Sequence, residues 1–294
     1  MKALAQEQVD RYRHDGFLFP LPALDAEEAH GYLGLLDRIE AHAGSSLSLP
    51  ANGQWRSSPH IYLPEFDRLV RDPRILDVIE DLLGPDLLVF TSTFFIKEAG
   101  SATFAAWHQD STYFGLAPHE HVTAWLALSD ASAQAGCMEV LSSHGQPRQM
   151  HHAAARLANS INGAGQAIVE PLDDSQGVLM ELKAGEFSLH NTLCPHRSSP
   201  NRSSHRRVGF GISYIPAHVT TVGSHRLHAL LVRGQDKWGH FDLLPPPDGA
   251  FTPAGLAMQD AVYRRYREHY REQERRHDEL FGKYTGEVHA AVDG

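Results

Sequence analysis

Two side chains placed two residues apart could do chemistry together. His108 and Asp110, within Trp107-His108-Gln109-Asp110, supply an imidazole and a carboxylate. On a strand, positions i and i+2 point to the same face, so both groups can converge on one point. Such a pair binds a divalent metal only weakly, and a third ligand must come from elsewhere in the chain. If that ligand is a second histidine, an octahedral metal keeps three open positions. This suits Fe(II), which can take a bidentate 2-oxo acid and then dioxygen.

Position alone does not select the third ligand, because the chain holds 20 histidines. His151 and His152 sit in a polar stretch with no strand beside them and are expected at the surface. His225 and His228 fall in a loop, facing substrate or solvent. The informative segment runs from Gly185 to Ser203. It reads as a strand ending in a polar turn, with a second strand beginning near Arg206-Arg207, and it offers His190 and His196. An arginine there can grip a carboxylate with two parallel hydrogen bonds, which lysine cannot reproduce. Adjacent strand residues point to opposite faces, so one of Arg206 and Arg207 enters the interior. Lys97 and Glu98 either face the same pocket or end a strand in solvent.

The elements that must position these groups change character along the chain. Residues 4–14 read as a short amphipathic helix stopped by Gly16, and Phe17-Leu18-Phe19 as a first strand. Asp25 to Glu28 forms a capping box opening a second helix. Residues 44–58 read as a loop, and Asp72-Pro73 opens a helix that ends at Gly84-Pro85. From Leu87 onward come short β-branched and aromatic runs: Leu87–Lys97, Val122–Leu128, Val178–Leu182, Phe187–His190 and Val208–Ile215. Helices followed by strands, each bounded by turn residues, indicate an antiparallel sandwich or barrel rather than a doubly wound fold. A single domain over 1–294 is expected. It has N-terminal helices to about 84, a barrel core at 86–216, irregular excursions at 153–176 and 217–250, and a C-terminal helix at 253–282. The run Arg264 to Arg276, interleaved with glutamates, reads as a solvated helix face.

Composition narrows the partners. The net charge of -10 argues against nucleic acid. No apolar run reaches a membrane span, and the first 30 residues carry no signal-peptide pattern, so a soluble cytoplasmic protein is expected. Cys137 and Cys194 read as free thiols.

Taken in order, these pieces resemble the phytanoyl-CoA dioxygenase family of Fe(II)/2-oxoglutarate oxygenases. The likeness extends from about Tyr12 to about Phe241 and is closest to the branch that tailors small metabolites and includes chlorinating enzymes. It rests on Phe95-Ile96-Lys97-Glu98, Trp107-His108-Gln109-Asp110, Val122 to Leu128, Gly136-Cys137-Met138 with Ser143-His144, His196-x-Ser198-x-Pro200-Asn201-Arg202-Ser203, and Arg206-Arg207. The resemblance implies a double-stranded β-helix, a jelly-roll, cupin-like barrel with flanking helices. It also implies that His108, Asp110 and His196 bind Fe(II), with His190 the competing histidine. Arg207, helped by Ser198, would hold the distal carboxylate of 2-oxoglutarate, and Trp125 would line that pocket. Dioxygen is the second co-substrate.

Chlorinating members carry alanine or glycine where Asp110 stands. The carboxylate here therefore implies hydroxylation of an unactivated C–H bond, with desaturation, cyclisation or epimerisation as alternatives on the same centre. Cys194, two residues before His196, is not expected to be a ligand, since a thiolate beside oxidising iron would itself be oxidised. Two other readings are a metal hydrolase on the same triad and a barrel that only binds metal or ligand. The polar loops 44–60 and 217–241 point to a small polar or amino-acid-like substrate.

Overall fold

Turn chemistry sets the N-terminal layer. Helix α1 (Gln6–Asp15) ends at Gly16, whose φ of 87° favours glycine, and passes into strand β1 (Phe17–Pro22). Asp25 and Glu28 close the capping box over α2 (Ala26–Ala43), each bond 2.8 Å. The stretch expected as a loop instead carries helical turns, including α3 (Gly53–Arg56). Pro50 opens the first turn, and buried Leu47 and Asn52 anchor it. Next comes α4 (Pro64–Val70), then α5 (Pro73–Leu83), where Asp72 accepts from the Arg74 amide at 2.9 Å. The computed structural model describes residues 1–154, 159–161 and 166–284.

Strands follow: β2 (Leu87–Lys97), β3 (Ala105–His108), then after the single turn α6 (Ser111–Phe114), β4 (Leu116–Ala117), β5 (Val122–Ala127) and β6 (Met138–Val140). The later ones are β7 (His152–Ala154), β8 (Gln166–Ile168), β9 (Val178–Met180), β10 (Glu186–Asn191), β11 (His196–Ser198) and β12 (Arg207–Pro216). Beyond them lie β13 (Thr220–Thr221), β14 (His228–Arg233), β15 (Asp242–Leu243) and helix α7 (Pro253–Phe281). The excursions expected to be irregular thus contain short strands. β7 pairs with β8, although 155–158 and 162–165 lie outside the described residues, and β14 joins the main sheet beside β2. Strands of two or three residues are too short to show a period of two in sequence.

Two sheets make the double-stranded β-helix. The larger has the order β1-β10-β5-β12-β2-β14-β15, and the smaller β3-β11-β6-β9. Alternation along β12 separates two environments. Val208, Phe210 and Ile212 point outward into the main core with Phe66, Ile75, Phe94 and Leu126, under the N-terminal helices. Arg207, Gly209, Gly211 and Ser213 take the other face, toward the smaller sheet. Among the described residues, no helix is long and apolar enough to cross a membrane.

Candidate metal and co-substrate site

β3 and β11 lie antiparallel with His108 opposite His196, and their rings sit 4.0 Å apart centre to centre. Asp110 reaches them by a different route from the one the spacing suggests. β3 ends at His108, and Asp110 has helical backbone angles (φ -63°, ψ -34°) at the start of α6. The chain turn, not strand alternation, brings the carboxylate round. Ligand atoms of His108, Asp110 and His196 all lie within 4.8 Å of one another.

Hydrogen bonding orients each group. His108 Nδ1–H donates to the Ala106 carbonyl at 2.8 Å, and His196 Nδ1–H to the Cys194 carbonyl at 3.0 Å. A carbonyl can only accept, so both Nε2 lone pairs are left for a metal. Burial holds both imidazoles below their ordinary pKa, which keeps them in the neutral, ligating form. Burial works to raise the Asp110 pKa. The hydrogen bond from His190 and the surrounding imidazoles outweigh it, so the group stays ionised. Its Oδ2 lies 3.4 Å from His190 Nε2 and accepts from Thr123 Oγ1 at 3.1 Å, while Oδ1 is 3.9 Å from His196 Nε2. His190 therefore stands behind the carboxylate, not in the metal-facing group.

A second cluster lies on the inner face of the large sheet. Arg207 is opposite Lys97 in the β12–β2 register, and both are buried, at 2% and 0% exposure. Arg207 donates to the Gly136 carbonyl at 3.0 Å, and its Nε has no partner. Lys97 Nζ donates to Ser198 Oγ at 2.8 Å, to the Gly136 carbonyl at 3.4 Å and to the Ser199 carbonyl. No acidic side chain pairs with either cation among the described residues. Burial, then the Arg207 charge, pushes the Lys97 pKa down to about 6, and burial lowers Arg207 to about 10. A buried guanidinium beside a buried amine that must shed its proton near neutrality, with no anion between them, costs folding energy. They fit a carboxylate supplied by a ligand, for which the Arg207 Nε–H is a buried donor not engaged by the protein.

The Arg207 guanidinium lies 5.2 Å over the Trp125 ring. Trp125 itself lies across Gly209, where a Cβ would come within 1.8 Å of the indole. The neighbours of the two cations face the other way. Arg206 pairs with Glu40 and with Glu98 at 3.1 Å. Cys194 points its thiol at the Leu141 and Pro195 carbonyls, and burial raises its pKa.

His152 corrects the surface expectation, for it is 1% exposed and accepts the Gln109 amide at 2.9 Å. Of the two readings the sequence leaves open for Lys97, the structure has the inward one, while Thr123, Gln109 and His152 stand around the candidate site without any sequence signal placing them there. The signal for Lys97 was its odd position at the end of an apolar strand, but its face could not be assigned without the β12 register.

With this geometry in view, the family model for phytanoyl-CoA dioxygenase (PhyH) matches residues 12–209, about two thirds of the chain. The chain belongs to the phytanoyl-CoA dioxygenase family. The solved apo structure of ThoJ, a non-heme monooxygenase, is 31% identical, with a TM-score of 0.80 over 92% of this chain and 99% of its own. A probable alpha-ketoglutarate-dependent hypophosphite dioxygenase of Stutzerimonas stutzeri is 27% identical over 54% of this chain and 56% of its own length. An ectoine dioxygenase of Bordetella parapertussis is 29% identical over 37% of each chain. The matched stretch thus spans about half or less of these curated relatives. α7 lies beyond the part matched by the family model.

Proposed function

We propose that this protein is an Fe(II)- and 2-oxoglutarate-dependent dioxygenase that hydroxylates an unactivated C–H bond of a small polar metabolite, releasing succinate and CO2. The observation that carries this reading is a barrel interior with a His-Asp-His group beside the smaller sheet and two buried basic side chains without an anion on the large sheet, joined by the Lys97–Ser198 hydrogen bond. His108, Asp110 and His196 would hold Fe(II). Arg207 and Lys97 would bind the distal carboxylate of 2-oxoglutarate. Ser198 accepts from Lys97 at 2.8 Å, so its own O–H is left to donate to that carboxylate. Trp125 backs Arg207 and keeps water from it. When bound, the iron and 2-oxoglutarate supply oxygen activation through oxidative decarboxylation. The protein need not provide a general base. Its residues fix an open coordination face, keep the imidazoles neutral and exclude water.

Substrate would lie along the inner face beyond Thr123. Cross-strand register continues from Thr123 to Ser213 and on to Thr91. There a cleft under α7 is lined by Ser57, Ser58, His228, Tyr263 and Tyr266. Ser57, Ser58 and Thr91 supply hydroxyls there and Tyr263 and Tyr266 aromatic rings, and the loop 44–60 contributes Ser57 and Ser58. Relatives named for hypophosphite and ectoine support a small-molecule substrate.

Anaerobic titration with Fe(II) and then 2-oxoglutarate should develop a weak visible charge-transfer band. Asp110→Ala should lose it together with succinate release. No band and no succinate from the wild-type protein, across amino acids, their carrier-bound forms and small acids, would overturn the assignment.

A further inference from the structure

Gln109, between two of the proposed ligands, is the most heavily tied residue of the loop. Its side chain donates to the Leu193 carbonyl at 2.5 Å and to the Arg148 carbonyl at 2.9 Å, and accepts the Met150 amide at 2.8 Å. Its backbone N–H donates to His152 Nε2 at 2.9 Å. The His152 tautomer is fixed, because its Nδ1–H donates to the Met150 carbonyl at 2.8 Å. His152 in turn gives its own backbone N–H to His277 Nε2, also at 2.9 Å. His277 sits on α7, 6% exposed, with its ring stacked on Phe281 at 4.5 Å.

Two further contacts tie the same helix to the turn that starts at Asp110. His269 Nε2–H donates to the Phe114 carbonyl at 2.9 Å, and Tyr270 stacks on Tyr113 at 4.7 Å. The buried stripe of α7 is therefore polar as well as aromatic, holding Gln259, His269, Tyr270, Gln273 and His277. Such a stripe is costly to bury unless each group finds a partner. Two of these partners, the Phe114 carbonyl and the His152 amide, belong to the turn after Asp110 and to the segment that holds Gln109.

We infer that α7 is a structural part of the metal centre, and that His277 and His152 are positioning residues that hold the peptide between His108 and Asp110 in its metal-binding form. This rests on the ligand set proposed above. The relation runs both ways, because a metal that favours the held form of the loop must also favour the docked form of α7.

The test compares His277→Phe, which keeps the stacked ring but removes the acceptor, with His277→Gln, which returns an acceptor oxygen. Fe(II) affinity is measured by anaerobic competition, alongside the position of the 2-oxoglutarate charge-transfer band. Loss of a group bonded directly to a ligand typically weakens metal binding about 10- to 100-fold; His277 acts further back, so a loss near the lower end, about 10-fold, is expected for His277→Phe, with most of it regained in His277→Gln. A folded His277→Phe protein with wild-type affinity and band would overturn the inference. Asp110→Ala, run in parallel, tests the ligand set separately. If it binds Fe(II) as the wild type does, the ligand reading fails instead.

Hydrogen exchange on the wild-type protein, with and without Ni(II), settles the case in which His277→Phe does not fold. Added protection is expected at 109–114, 150–153 and 269–281. No change at 269–281 would overturn the inference.

Discussion

Lys97→Met separates co-substrate binding from stability. In the folded protein the Lys97 pKa is pushed down to about 6, first by burial and then by Arg207, whereas an unfolded lysine titrates near 10.5. Between these values the unfolded chain binds one more proton than the folded one, so stability rises with pH by about 1.4 kcal/mol per unit. At pH 7 the lysine therefore costs roughly 5 kcal/mol relative to a side chain that does not titrate. Methionine fills similar volume and removes that cost, but it leaves Ser198 Oγ and the Ser199 carbonyl without their donor, at about 1–2 kcal/mol each.

The balance is a gain of about 1–3 kcal/mol, or a rise of a few degrees in Tm at about 2–4 °C per kcal/mol. The variant should at the same time bind 2-oxoglutarate roughly 30- to 150-fold more weakly, since truncating one partner of a buried charge pair costs about 2–3 kcal/mol or more. Scanning calorimetry from pH 6 to 9, with 2-oxoglutarate affinity measured on the Fe(II)-loaded protein, reads both effects. The stability advantage over wild type should shrink as pH rises. A variant that is less stable at pH 7, shows a flat pH difference, or binds 2-oxoglutarate normally would refute the reasoning.

Three other outcomes follow from the same geometry. Thr123→Val removes the hydroxyl that donates to Asp110 Oδ2 at 3.1 Å, and Fe(II) affinity by anaerobic titration should fall about 10-fold. Gly209→Ala places a methyl where the Trp125 indole lies. It should cost about 1–3 kcal/mol in denaturant unfolding and weaken 2-oxoglutarate binding by displacing the ring behind Arg207. Stripping metal with a chelator should remove about 2.7 kcal/mol of stability when Fe(II) had been present at a hundred times its Kd, and added Ni(II) should restore it.

Local chemistry made much of the fold legible. Asp25 with Glu28, and Asp72 with Pro73, are contiguous signals, and the helices they open begin there. The long strands Leu87–Lys97 and Arg207–Pro216 were legible because β-branched and aromatic residues dominate them. The paired residues His108 and Asp110 stood out, but the geometry joining them did not. A strand end followed by one helical turn has the same spacing as two residues on one strand face. The inner cations were half legible. Alternation predicts that one of Arg206 and Arg207 points inward, yet which one depends on a β12–β2 register that no local pattern encodes.

His152 shows why the remainder was hidden. A histidine outside any apolar run is ordinarily solvated, and here contacts from Thr112 and Gln109 upstream and His277 downstream bury it. Composition is as uninformative along α7, where histidines and glutamines scattered through the charged Arg264–Arg276 region and on either side of it join Tyr270 in a buried stripe. Polar groups are buried without penalty only when distant partners are already in place, so their role is settled by tertiary structure and not by hydropathy. The same reasoning separates the two kinds of buried polar group in this barrel. His152 and Gln109 are fully engaged and act to hold shape. Arg207 Nε is buried without a partner, and Lys97 is buried without a counter-charge. A fold that satisfies the first pair and leaves the second wanting an anion keeps its binding energy for a ligand.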